Sequence, residues 1–425
     1  MSRLSFEPRR FLRSLLDEAV AVARPDRCLP PALTDWPAPP QGQTIVIAVG
    51  KAAAGMARAL TTQWSDRPLT GLALTRYGHA LPCGGIKVVE AAHPVPDKAG
   101  VTAAHRILEI ASRAEPDDLV LCLMSGGASA LLTAPAPGLT LSDKQETTQA
   151  LLAAGADIGE INTVRKHLSA IKGGRLAQAV TPARLITLAI SDVVGDDPAT
   201  IGSGPTVADP TTLADARTVI DKYGLSVPDS VPCALADPAN ESIKPGAPAF
   251  ANTTYRIIAR PLDSLKAAAR VAARSGIAVT ILGDDLIGEA SALGRIHADV
   301  ACRLQDEGND LPTLLLSGGE ATVTLTGSGK GGPNTEYLLA MAQGLNGRGD
   351  IWALAADTDG ADGSEGNAGA VITPDTLTRA RAAGLLPAPL LVNNDAWSFF
   401  DALGDLVVTG PTQTNVNDFR AILIA

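Results

Sequence analysis

Short apolar runs alternate with amphipathic stretches along nearly the whole chain, which predicts repeated strand–helix units. Residues 44–49, 71–75, 87–90, 119–124 and 184–190 read as strands. Runs such as Ile45-Val46-Ile47-Ala48-Val49 are apolar on both sides of the pleat, as a strand covered on both faces must be. Residues 52–60 and 97–112 have helical spacing, and helical segments fill 143–179. A helix over 11–23 comes first, followed by a Pro-rich stretch at 25–40. A second Pro-rich stretch, 227–248, lacks periodicity and is read as a linker. Beyond it, strands at 256–258, 278–282, 313–316, 322–326 and 351–355 alternate with helices at 262–275, 289–307 and 334–345. The tail segments 405–409 and 419–424 are free to pair with either sheet. The expected fold class is α/β in two domains: a Rossmann-like, mainly parallel sheet over 1–240 and a second α/β domain over 241–425.

A length of 425 residues exceeds one ordinary core, which supports that division. Hydrophobic residues make up 46% but aromatics only 3%, so Ala, Val, Leu and Ile fill the interior. The net charge of −10 argues against nucleic-acid or anionic-membrane partners. An acidic protein that handles an anion needs local cations, so basic islands carry more information than the total. The five cysteines form no CxxC pair, which disfavours a disulfide framework or a zinc site. Cys122, inside a strand, reads as a small buried hydrophobe. The N-terminus has no signal-peptide core and no apolar run approaches a membrane span, so the cytosol is the expected compartment. Homo-oligomerisation is left open.

The segments that carry chemistry follow the strands. Residues 191–210 hold Asp192, Asp196, Asp197 and Asp209 and no basic residue. Crowded carboxylates repel one another unless a cation, or a ligand carrying one, lies among them. The Gly and Pro content makes the loop rigid, which favours a divalent-metal or phosphate role over a merely solvated loop. Gly50-Lys51 leaves the first strand and opens a helix, placing a lysine where acids are preferred and anions bind. The spacing is not that of a Walker A loop, and Ala52 takes the hydroxyl position. Ser125-Gly126-Gly127-Ala128-Ser129 and Ser317-Gly318-Gly319 both turn at the carboxyl ends of strands, where ligands bind in open α/β sheets. A tight turn with a serine cap has the same spelling.

Asn162, Arg165, Lys166, Ser169 and Lys172 recur at helical spacing, giving either an anion-binding face or a solvated one. The stretch 327–332 formally satisfies G-x-G-x-x-G. Pro333 follows at once and Asp357 lies far downstream, so it is read as a mobile phosphate-covering loop, with a dinucleotide site as the alternative. The second acidic loop, 357–366, suits a hard cation, a phosphate-facing turn or a solvated turn. Asn393-Asn394-Asp395 and residues 410–418 offer amides and hydroxyls for a polyhydroxy ligand, or for capped turns.

Taken in order, several segments together resemble the class II glycerate 2-kinase family, whose C-terminal part is the MOFRL domain. They are Gly50-Lys51-Ala52, His93-Pro94-Val95-Pro96-Asp97, Ser125-Gly126-Gly127, Ile161-Asn162-Thr163-Val164-Arg165-Lys166-His167, Ser191-Asp192-Val193 through Asp209, Ser317-Gly318-Gly319-Glu320, the stretch 329–336, Thr358-Asp359-Gly360 and Thr409-Gly410-Pro411-Thr412. The resemblance implies ATP- and Mg²⁺-dependent phosphorylation of the 2-hydroxyl of D-glycerate, in a cleft between two α/β domains. Some relatives carry the label hydroxypyruvate reductase.

On that basis Lys51 binds the transferring phosphate and Asp192 orients or deprotonates the 2-hydroxyl. Asp197 and, more weakly, Glu320 hold Mg²⁺. Arg165, Lys172 and Ser125 face the substrate; Gly126, Gly127, Ser129, Ser317, Gly318, Gly319, Gly329, Lys330, Gly331, Gly332 and Asn334 face the nucleotide. The chain departs from the common pattern at Ala128 (often Gly), Pro333 (Arg) and Thr335 (Gln). Loss of that arginine removes a potential phosphate or carboxylate ligand, which alters nucleotide handling or substrate choice unless Lys330 or Arg165 compensates. An NAD(P)H-dependent reductase and a non-catalytic metabolite sensor are the competing classes.

Overall fold

A computed structural model describes residues 6–34, 40–308 and 311–425. Part of the first Pro-rich stretch, residues 35–39, lies outside them. The chain divides into two units, Pro25–Ile258 and Ala259–Ala425, the latter joined by the N-terminal segment through Arg24.

The first unit is built on β1 (Thr44–Val49), β2 (Leu69–Arg76), β3 (Ile86–Ala91), β4 (Leu119–Met124), β5 (Arg184–Ile190) and β6 (Thr253–Ala259), in the order β3-β2-β1-β4-β5-β6. The pairs from β3 to β5 are parallel, with Val49 beside Leu74 and Met124. Ile45, Ile47, Val49, Val120, Cys122 and Leu185 pack on one face with Ile107 and Leu176 of flanking helices. The apolar runs are therefore buried on both sides, and their carboxyl ends form one polar edge.

The stretch 227–248 is not a linker. It forms the helix Ser230–Ala236 and a short turn, with Val231 and Leu235 buried against Leu213 and Val219 of the helix Leu213–Lys222. Ile243 N–H then donates to Gly173 O, and Asp209 N–H to Ile243 O. Prolines break periodicity but do not prevent burial. Residues 256–258, expected to begin the second domain, lie instead in β6 beside β5, so the units divide between Ile258 and Ala259 rather than between 240 and 241. Residues 25–33 form a helix, Pro25–Leu33, and the 143–179 segment is three helices, Leu141–Ala153, Ile158–His167 and Arg175–Val180. Each of the first two starts with a capping box, Thr140 with Asp143 and Asp157 with Glu160.

The second unit contains β7 (Ala278–Gly283), β8 (Gly288–Glu289), β9 (Thr313–Ser317), β10 (Ala321–Thr322), β11 (Ile351–Asp357), β12 (Gly369–Ile372), β13 (Leu406–Val407) and β14 (Asp418–Ile424). The main sheet runs β13-β12-β11-β14-β9-β7. Its pairs are antiparallel except β7 with β9. The final strand therefore belongs to this sheet's centre and does not return to the first. The expected strand at 322–326 shrinks to the two residues of β10.

The helix Pro8–Ala23 belongs here because its apolar stripe, Leu12, Leu15, Leu16 and Ala19, packs with Leu314, Leu316, Leu354, Phe419 and Leu423. On the other face, Tyr337, Leu338 and Met341 of the helix Pro333–Leu345 cover Leu315, Ala353 and Ile422. No described helix is long and apolar enough to cross a membrane.

Candidate active site

The first SGG turn is knitted to the Gly50-Lys51 turn. Ser125 Oγ, buried, accepts Ala52 N–H at 3.0 Å, and Lys51 N–H donates to Gly126 O at 2.8 Å. Gly50 adopts φ 127, and a Cβ there would lie 2.2 Å from Ser125 Oγ, so only glycine allows this approach. Ser125 thus holds two turns together. The N–H groups of Gly126 and Gly127, by contrast, donate to no described residue. Two adjacent unspent N–H groups make an anion-binding concavity, and buried ones need a partner.

Side chains from two other strand ends converge there. A Cβ on Gly127 would lie 3.1 Å from His93 Nε2 and 3.2 Å from Lys51 Cγ. Lys51 is therefore where the sequence predicts it. His93, to which the sequence assigns no role, joins it from beyond β3, and only spatial proximity reveals this.

The aspartates of 191–210 separate. Asp192 follows β5 and is partly exposed. Asp197 is exposed, and its carboxylate accepts Ala199 N–H at 3.1 Å and Thr200 Oγ1 at 2.7 Å, shaping its own turn. Burial drives the Tyr255 hydroxyl up, and the charges of Cys122, Asp197 and Asp192 push it further. Asp209 is buried and ion-paired with Lys166 at 3.2 Å; burial would raise its carboxyl, but Lys166 and the hydroxyls of Thr211 and Ser242 hold it below the usual range. Its role is structural.

The basic segment does not form one solvated face. The helix ends at His167, whose buried ring meets Thr163 O and Glu241 Oε1. Lys166 points inward to Asp209. Lys172 is fully buried, and its Nζ donates to Ser129 O at 2.8 Å and Gly202 O at 3.3 Å, so it grips backbone. Ser129 Oγ lies 3.0 Å from Ser203 Oγ, which donates to Asn162 Oδ1 at 3.2 Å. This chain ties the SGG turn, the acidic loop and the basic helix together. Arg165 stays partly exposed.

In the second unit the phosphate expectations fare differently. Gly318 N–H donates to Gly283 O and Glu320 N–H to Leu286 O, while Glu320 itself is exposed. Ser317 is buried, and Gly319 has φ 108 with no room for a Cβ beside Leu286. The 327–332 loop is not mobile cover. Gly327 and Ser328 N–H donate to the side-chain oxygens of Asn394 and Asn393, Gly329 N–H to Asn393 O, and Lys330 N–H to Asp395 Oδ1. Gly332 N–H goes to Thr335 Oγ1, and a Cβ on Gly331 would lie 3.2 Å from Trp397 N. Lys330 reaches Glu365 at 3.5 Å and stacks over Trp397.

The N-terminus of the helix Pro333–Leu345 is already filled by a protein carboxylate. Asp362 accepts Asn334 N–H and Thr335 N–H, both at 2.9 Å. The Asn334 amide is buried and donates to Asp418 Oδ1 at 2.7 Å. Asp418 also pairs with Arg420, whose Nη1 donates to Gly318 O at 3.0 Å. Burial raises the Asp362 carboxyl to about 6, against the pull of its backbone donors. A dinucleotide pyrophosphate has no place at this helix end while Asp362 occupies it. The side-chain oxygens of Asn393 and Asn394 accept turn N–H groups, Asn393 from Ser328 and Asn394 from Thr326 and Gly327.

Among the described residues no three His, Cys, Asp or Glu side chains group as a metal cage. Asp197 belongs to the first unit and Glu320 to the second.

Residues 11–236 match the family described as a domain of unknown function (DUF4147), and residues 313–418 match the MOFRL family. A protein of Agrobacterium vitis named "Putative hydroxypyruvate reductase" is 50% identical over 98% of this chain and 94% of its own. The "Glycerate 2-kinase" of Pyrococcus horikoshii is 40% identical over 90% of this chain and 88% of its own. The crystal structure of the Thermotoga maritima glycerate kinase superposes with a TM-score of 0.87 at 35% identity, covering 98% of this chain and 99% of that one.

Proposed function

The chain belongs to the glycerate kinase family with DUF4147 and MOFRL regions, and from that premise we propose that it transfers the γ-phosphoryl group of ATP to the 2-hydroxyl of D-glycerate. The observation that carries this reading is the pair of unspent N–H groups on Gly126 and Gly127, flanked by Lys51 and His93. Phosphoryl transfer needs charge neutralisation and in-line placement more than covalent chemistry, and these groups supply the first.

The substrate oxygen attacks the γ-phosphorus, the bond from that phosphorus to the bridging oxygen breaks, and ADP leaves. The hydroxyl proton passes to Asp192, the partly exposed carboxylate at the end of β5. Lys51 and the two glycine N–H groups hold the charge that spreads over the transferred oxygens. Were Mg²⁺ bound, the exposed carboxylate of Asp197 would be the group of this loop to hold it, and the ion would neutralise charge on the nucleotide phosphates.

Pro333, where the family resemblance implies an arginine, opens a helix whose end is satisfied by Asp362, so its local structure needs no cation. In the reductase alternative, the 327–332 loop would need backbone N–H groups that Asn393, Asn394 and Asp395 already hold.

One assay separates the readings. Purified protein is given D-glycerate, ATP and Mg²⁺ with ADP release followed, and the product is passed to enolase, which accepts 2-phosphoglycerate directly. In parallel it is given hydroxypyruvate with NADH or NADPH. ADP formation with an enolase-competent product is expected; nicotinamide oxidation without ADP would reject the kinase reading.

A further inference from the structure

Lys51 is held on its carbonyl side as well as on its N–H side. The parallel register sets Leu74 beside Val49 and Thr75 beside Glu90, so the end of β2 lies between the Gly50-Lys51 turn and β3. Thr75 is fully buried, and its Oγ1 donates to Lys51 O at 3.4 Å. Beyond β2 the chain turns through Gly78, at φ 79, and brings His79 to the same oxygen, with Nδ1 3.3 Å from Lys51 O. A carbonyl oxygen only accepts, so His79 Nδ1 carries the hydrogen and donates. His79 is only 8% exposed, which leaves little room for water to replace it. The turn itself is pinned: His79 N–H is shared between Arg76 O and Glu90 Oε1, both at 3.1 Å, and Ala80 N–H donates to Glu90 Oε1 at 3.2 Å.

We propose that His79 is a positioning residue for the transfer step: it fixes the peptide that follows Lys51 and so aims the Lys51 ammonium at the Gly126–Gly127 turn. The proposal rests on the role given to Lys51 in the kinase reading. The two peptide groups that flank the Lys51 Cα are bound at different strand ends, the N–H to Gly126 O after β4 and the carbonyl to His79 after β2. With both planes fixed, the side chain leaves the backbone in one direction, and its Cγ lies 3.2 Å from where a Gly127 Cβ would stand. The ammonium sits at the end of a flexible four-carbon stem, so a small rotation at the backbone becomes a larger displacement of the charge.

A positioning role has a signature that a merely structural one lacks. Without the His79 donor the Lys51 carbonyl turns toward another partner, which misplaces the cation without abolishing substrate binding. The loss falls on kcat, because a charge that meets the transferring oxygens is needed more in the transition state than in the ground state. It also vanishes once Lys51 has no charge to aim. Asparagine carries its amide nitrogen the same number of bonds from Cβ as histidine carries Nδ1, so H79N keeps the donor. Leucine has the branching of asparagine and no donor, so H79L removes it.

Steady-state ADP release and thermal unfolding are measured on the full chain for wild type, H79L, H79N, K51M and the double variant H79L/K51M. H79L is expected to lower kcat about tenfold, with KM for ATP and for D-glycerate within about twofold. H79N should recover to within about threefold of wild type, and H79L should add no more than about twofold to the loss in K51M. The same cycle is read by calorimetry as affinity for inorganic phosphate, which H79L weakens in wild type and not in K51M. An unchanged kcat in H79L, a loss in H79N equal to that in H79L, or an H79L effect of one size with and without Lys51 would each overturn the role. If wild type releases no ADP with D-glycerate but the phosphate cycle shows the coupling, the glycerate reading falls and the positioning role stands; if it neither releases ADP nor binds phosphate, both fall. Should H79L not fold, T75V, which removes the other donor to Lys51 O, takes its place in both cycles, and equal effects with and without Lys51 then overturn the proposal.

Discussion

Replacing Gly127 by alanine separates the two jobs this residue does. Its backbone lies at φ 80, ψ −5, a left-handed conformation that costs a non-glycine residue about 1–2 kcal/mol. The new methyl would lie 3.1 Å from two atoms of the His93 ring and 3.2 Å from Lys51 Cγ, closer than ordinary contact, so both side chains must retreat by a few tenths of an ångström. Gly138 supplies the control, because its φ is 83 and nothing lies within 4 Å of where a methyl would stand. G138A therefore carries the backbone cost alone and is expected to lower stability by about 1–2 kcal/mol with kcat unchanged. G127A carries the same cost and also displaces Lys51 and His93. A misplacement of about 1 Å near the chemistry costs about 100-fold, so a shift of a few tenths should lower kcat by roughly 10-fold or more. Thermal unfolding and steady-state ADP release on both variants measure the two effects. If G127A retains wild-type kcat while destabilising the protein as much as G138A, Lys51 and His93 do not act at this turn.

Three further outcomes follow from other contacts. K51M should lower kcat by about 100-fold or more with the fold intact by circular dichroism, because it removes the cation at the unspent N–H groups; near-normal turnover would exclude that role. D418A should cost about 3–5 kcal/mol in denaturant unfolding, since it strands the buried Arg420 guanidinium and frees Asn334 and Ala321 of their acceptor; a loss under about 1 kcal/mol would show that Gly318 O suffices. Asp362 has a folded-state pKa raised to about 6, mainly by burial, so its contribution to stability is full below the unfolded value near 3.8 and is lost as pH rises through 6. Wild type should therefore lose stability relative to D362N between about pH 4 and 7, and parallel unfolding curves across that range would contradict the assignment.

Local pattern was enough wherever an element's identity depended on its own residues. β1, β4 and β5 begin and end where their apolar runs meet turn residues, and the capping boxes at Thr140 and Asp157 start helices within the segment read as helical. Gly50-Lys51 and the first SGG turn were legible as strand-to-helix turns because strand, glycine and helix follow one another directly. Spelling failed where the deciding partner lay far along the chain. The apolar stripe of the helix Pro8–Ala23 named a buried face but not its partner, which is Leu314 and Phe419, distant in the chain. Val227 to Pro248 looked like a linker because prolines erase periodicity, yet Val231 and Leu235 find a core.

The two glycine-rich turns and the glycine loop make the same point chemically. All three have the composition that lets a backbone cradle phosphate, and composition alone could not rank them. Residue order was sufficient to establish most strands and helices, the clustering of glycine turns and acids at strand ends, and a cation at Lys51. Which donors remain to be used depended on contacts made across the fold. The 327–332 loop spends its N–H groups on Asn393, Asn394 and Asp395, and Asp362 fills the helix end beside Asn334, whereas Gly126 and Gly127 keep theirs. The reason is that propensity and period act over a few residues, while hydrogen bonding and charge compensation are settled by whatever group folding brings within about 3 Å.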